Sequence, residues 1–144
     1  MLNNKGFIFI EVIIIALVVS FTAMMIVNGL KTAIKSNQNS AIRTAAIHIA
    51  NAQMSEIENY ADINNHFPAS SQTFLTDTDL NYDDCFGIDG SVKFEISQSN
   101  LETINNGNTC RVSITVKWYI NDVLSDDSET ITKDIWLKNQ NSSQ

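Results

Sequence analysis

Phe7-Ile8-Phe9-Ile10-Glu11-Val12-Ile13-Ile14-Ile15-Ala16-Leu17-Val18-Val19-Ser20-Phe21-Thr22-Ala23-Met24-Met25-Ile26-Val27-Asn28-Gly29-Leu30 is the stretch that decides the fold. Glu11 is its only charged residue, and Ser20, Thr22 and Asn28 are its other clearly polar side chains. As a helix it would span about 36 Å, enough to cross a hydrocarbon core of roughly 30 Å. A helix inside a soluble protein is seldom apolar on every face for so many turns. A secretory signal peptide needs a basic n-region, a shorter apolar core and a small-residue cleavage site after that core. Here only Lys5 precedes the run, the run is longer, and no clear cleavage site follows it. A carboxylate costs roughly 2.5–3.5 kcal/mol near a bilayer centre and less near its edge, so Glu11 needs a partner.

Outward from this stretch the charge is segregated. Residues 1–30 carry Lys5 and Glu11, a net of zero; residues 31–60 carry a net of +1; residues 61–144 carry five bases and thirteen acids, a net of −8. The whole chain of 144 residues is 44% hydrophobic with a net charge of −7, so its ordinary composition averages an apolar arm and an acidic body. That length excludes a multidomain enzyme. Two Cys exclude a zinc site with four Cys ligands. An acidic body lacks the basic patch that phosphate neutralisation requires, so no nucleic-acid partner is expected.

From Lys31 to Tyr60 there is neither Pro nor Gly. Ile34, Ala41/Ile42, Ala45, Ile49, Ala52, Ile57 and Tyr60 recur in steps of three and four, which predicts one buried helix stripe. Lys35, Asn37, Asn39, Arg43, Gln53 and Glu56 fall on the other faces. One helix from Phe7 to Tyr60, roughly 80 Å long, follows. Arg43 and His48 read as solvated helix residues, and His66 beside Phe67-Pro68 reads as loop packing. No triad or metal box is assembled, and no enzyme activity is expected.

Three later segments alternate with period two. Val92, Phe94 and Ile96 make one face of a first strand; Val112, Ile114, Val116, Trp118 and Ile120 one face of a second; Ile131, Ile135 and Leu137 most of the face of a third, with Lys133 breaking the pattern. Asn106-Gly107 lies in the first connection and Asn121-Asp122 begins the second. Trp118 and Trp136 read as core or edge packing rather than ligand platforms. The expected fold class is α+β: a long N-terminal helix, membrane-spanning in its first half, packed by its second half on a small antiparallel sheet.

Lys5-Gly6-Phe7-Ile8-Phe9-Ile10-Glu11-Val12 resembles the processing site of type IV prepilins and type II secretion pseudopilins. That pattern is a short basic leader ending in Gly, then Phe, three apolar residues, Glu and a long apolar run. The neck from Ala41 to Glu56, with its Arg, Ala-rich turn and Met followed by an acid, resembles PilV-type minor pilins and the I-type pseudopilins. Together the two likenesses cover about the first 60 residues. The chain departs from many major pilins in having Val27-Asn28-Gly29 where they carry a Pro.

The resemblance implies a pilin fold with a leader at 1–6, a transmembrane or filament-core half-helix at 7–30, an amphipathic half at 31–60 and a periplasmic β head at 61–144. It implies a structural minor pilin, or alternatively a type II secretion pseudopilin. The alternative of another class is a signal-anchored periplasmic binding module. A prepilin peptidase would recognise Lys5, cut after Gly6, where the missing side chain admits its catalytic groups, and methylate the new amine of Phe7. Glu11 would then pair with the Phe7 ammonium of a neighbouring subunit and set register. The implied partners are other pilins and minor pilins through the N-terminal helix, the prepilin peptidase and the assembly platform of a bacterial inner membrane. The head would lie in the periplasm, and the mature subunit would enter a pilus or its initiating complex. In that oxidising compartment Cys85 and Cys110, which flank the first strand, are expected to form a disulfide worth ~3.5 kcal/mol of chain entropy. No cofactor is required. Asp77, Asp79, Asn81 and Asp83 partly imitate an EF-hand calcium loop, but Tyr82 and Ile88 replace its Gly and Glu.

Overall fold

The structure, a computed structural model, describes residues 4–69, 72–76, 79–82, 91–104 and 108–137, with backbone alone for 4–8, 82 and 98–100. Helix α1 runs Asn4–Asn64, followed by strands β1 (Asn81–Tyr82), β2 (Val92–Ile104), β3 (Thr109–Ile120) and β4 (Val123–Trp136). The strands pair antiparallel in the order β1-β2-β3-β4, and α1 packs against this small sheet in the α+β arrangement expected. By its contacts the chain divides inside α1 into residues 1–39 and 40–144.

The first unit is helix throughout its described residues, and every described side chain from Phe9 to Asn37 is exposed. The helix is long and apolar enough to cross a membrane. It passes Asn28-Gly29 without a break, and a Cβ added at Gly29 would meet no atom within 4 Å.

In the second unit the helix buries Ile42, Ala45, Ala46, Ile49, Ala50, Met54 and Ile57 against the sheet. The spacing is the three-and-four step of one helix face. The sheet contributes Val92, Phe94, Cys110, Val112, Ile114, Val116, Trp118 and Ile135. Every second residue of β3 from Cys110 to Trp118 is buried, as the alternation predicts. The stripe differs from expectation at three places: Ile34 and Ala52 are exposed, while Gln53, expected on an outward face, is fully buried.

Strands β2 and β4 are longer than their apolar alternation. A bulge between Ile96 and Gln98 shifts the register of β2, after which pairing continues to Ile104 opposite Thr109. Asn106-Gly107 lies outside the described residues. Between β3 and β4, Ile120 pairs with Val123 across Asn121 (φ 51°) and Asp122 (φ 62°). Two consecutive positive φ values make a type I′ turn, whose twist suits a hairpin and which Asn and Asp tolerate. The helix ends similarly, with Asn65 at φ 53° just past Asn64, the left-handed position that stops a helix.

Lys133 interrupts the third alternation for a reason. It points toward α1, and its ammonium pairs with the Glu58 carboxylate. Farther along the same row of β4, Asp127 and Glu129 meet Arg43 at 3.2 and 3.7 Å. Arg43 is thus a link from helix to edge strand rather than a free solvated charge.

Candidate functional site

Glu11 is the chemical exception in the first unit. The hydroxyl of Ser20 donates to Ala16 O at 2.7 Å, and that of Thr22 reaches Val18 O at 3.0 Å and Val19 O at 2.9 Å. These bonds satisfy hydroxyls within the helix, which is what a hydrocarbon environment demands. Glu11 has no such outlet: among the described residues its carboxylate makes no hydrogen bond or ion pair. Ile10, Ile14 and Ile15 flank it in a shallow open groove of about 280 Å³. Lys5, Gly6 and Phe7 lie in the first turns of α1, one to two turns before Glu11, and their backbone is helical.

The head does not gather the calcium candidates into one described cluster. The Asp79 carboxylate accepts from the Thr76 backbone N–H at 2.9 Å and the Thr76 hydroxyl at 2.6 Å, which holds its pKa below the usual value. Asn81 belongs to β1 and pairs with Lys93 of β2. Asp77 and Asp83 lie outside the described residues. Cys110 is a buried free thiol whose pKa is raised by burial, then by Asp134 and Glu102. Cys85, its expected partner, lies outside the described residues. His66 packs in its loop as expected, edge-on to Tyr60, with its Nε2 3.2 Å from the Tyr60 hydroxyl and its Nδ1 3.0 Å from Asn64 O.

The sheet face turned away from α1 is a polar ladder. Arg111 and Asp134 form a two-pronged pair at 2.8 and 3.0 Å, and the hydrogen bonding raises the guanidinium pKa and lowers that of the carboxyl. Next along the face, hydroxyls of Ser113 and Thr132, then of Thr115 and Thr130, meet at 2.9 Å. The Tyr119 hydroxyl donates to Glu95 at 2.7 Å, which raises its pKa. An open depression of about 470 Å³ beside it is lined by Leu80, Lys93, Phe94, Glu95, Tyr119 and Asp122. Trp118 is core, as expected, but Trp136 is 65% exposed.

Gln53 is the polar residue that spacing did not reveal. Its Nε2 donates to Gln72 O at 2.9 Å, and its Oε1 accepts from Phe74 N–H at 3.0 Å. The side-chain amide thus pairs with the loop after α1 as a strand backbone would. Polarity alone hid it; its step of four from Ile49 was the available signal. No family model, curated protein or solved structure matches this chain.

Proposed function

We propose that the chain is a structural minor pilin, an inner-membrane subunit processed after Gly6, N-methylated on Phe7 and assembled through α1. The observation that carries the reading is Glu11: a carboxylate with no described intramolecular partner, on a helix apolar all round, five residues after a Gly6-Phe7 junction. In lipid such a group is costly, and a cation from a neighbouring subunit relieves the cost. The new α-amine, with an ordinary pKa of about 7.7–8.0, is such a cation. The in-helix bonding of Ser20 and Thr22 supports the same reading, because it leaves those side chains no need of water. The head then occupies the periplasm, where Cys110 and Cys85 meet an oxidising environment.

Intact mass of the chain from a host with prepilin peptidase tests this. Loss of Met1–Gly6 with gain of one methyl group is expected; an intact N-terminus overturns it. Glu11→Val is expected to insert normally and to fail in assembly. Non-reducing mass spectrometry with thiol alkylation then reports whether Cys85 and Cys110 are joined.

A further inference from the structure

The outer face of the sheet has a composition unlike the rest of the head. Its described register-paired charges are Lys93, Lys117 and Arg111 against Glu95, Glu102 and Asp134, a balance of zero in a head that carries −8 overall. Ser113, Thr115, Thr130 and Thr132 lie along it, and at one end stands the exposed indole of Trp136. Directly opposite Trp136 in the ladder is Thr109, whose buried hydroxyl has no hydrogen-bond partner among the described residues.

We infer that this face, from Trp136 along to Thr130, is a binding platform for a neutral saccharide chain. A pyranose has an apolar face of C–H groups and a rim of hydroxyls. An indole ring offers a large rigid surface with a negative face for those C–H groups, at little cost in side-chain entropy. The Arg111–Asp134 pair is the next row on the same face, about 7 Å away at the rise of an extended strand. Two of the five guanidinium N–H groups are used on Asp134, so Arg111 retains donors for rim hydroxyls, and the carboxylate retains lone pairs. The Ser113–Thr132 and Thr115–Thr130 pairs continue the row with groups that both donate and accept. Among the described register-paired residues of the platform, Arg111 is the one base, bonded to Asp134 and opposite Glu102, so a polyanion gains nothing there. A neutral polyhydroxylated chain matches the aromatic stack and the hydroxyl ladder together. The inference stands independently of the assembly role.

The full chain in a zwitterionic, sugar-free detergent is titrated with maltotetraose and chitotetraose and observed by saturation-transfer difference NMR. At least one of the two is expected to receive saturation, strongest at its ring C–H protons, with saturable binding. Trp136→Ala is expected to weaken the response at least tenfold, and Trp136→Tyr to retain it. Arg111→Met is expected to weaken it severalfold. Absence of transfer to both oligosaccharides overturns the proposal, as does an equal response from Trp136→Ala. Preferential binding of an anionic control, tetragalacturonate, over both neutral chains overturns it as well. A cooperative thermal unfolding transition in each variant reports that it is folded.

Discussion

The backbone N–H of Phe74 donates to Gln53 Oε1 at 3.0 Å, and Gln72 O accepts from the same side-chain amide at 2.9 Å. One buried amide therefore fastens the loop that follows the helix. Gln53→Leu leaves a loop N–H and a loop carbonyl without partners, so a loss of about 2–4 kcal/mol in chemical denaturation of the head is expected. Gln53→Glu is expected to destabilise too, because a carboxylate cannot donate to Gln72 O. Limited proteolysis near residues 72–76 checks that the loop is what loosens.

The Glu58–Lys133 pair crosses from α1 to β4 with both side chains partly exposed. A double-mutant cycle is expected to give a coupling of at most about 1 kcal/mol. Lys133→Leu, which restores the apolar alternation, is expected to cost less than Lys133→Glu, which sets two carboxylates face to face.

Asp134 and Asp79 both titrate below their ordinary values, through hydrogen bonds from Arg111 and from Thr76. A carboxyl with a depressed folded pKa contributes stability above its unfolded pKa and loses it as pH falls through the folded one. The melting temperature of the head is therefore expected to decline as pH drops below about 4. Arg111→Met is expected to flatten that decline, since it removes the larger cause of the Asp134 shift. At the alkaline end Tyr119, its pKa raised by donation to Glu95, supplies stability that fades as pH rises past about 10.

Asp122 holds φ at 62° in the β3–β4 turn. Asp122→Gly turns Asn121-Asp122 into the Asn-Gly pair that type I′ turns favour. A gain of about 0.5–1 kcal/mol in thermal unfolding is expected.

Periodicity made most of this architecture legible. The apolar run, the Ile42–Ile57 stripe and the alternation of β3 all depend on repeated burial of one face, and repetition is what a pattern records. Four features escaped for physical reasons. Gln53 sits on the buried face but is polar, and its partners are loop backbone groups that no side-chain pattern marks. The second half of β2 continues past a bulge that breaks the period at Ile96. Strand β1 is two residues long, too short to alternate. Arg43 and Lys133 are half-exposed charged residues that pair across the margin between α1 and β4, and only the sheet's position beside α1 reveals their partners. For the candidate site the reverse holds: Gly6, Phe7 and Glu11 stood out by motif, and the structure adds that Glu11 has no partner among the described residues while the hydroxyls of Ser20 and Thr22 bond within the helix.

The charged row of β4 has a further consequence. With β4 at the margin of the sheet, a strand of another chain can extend it, and chains concentrated side by side would be prone to fuse into fibrous aggregates. Asp127, Glu129 and Lys133 point inward along that margin and are already matched by Arg43 and Glu58. An incoming strand would have to run beside this row of charges already committed to α1, so the margin is guarded against uncontrolled joining.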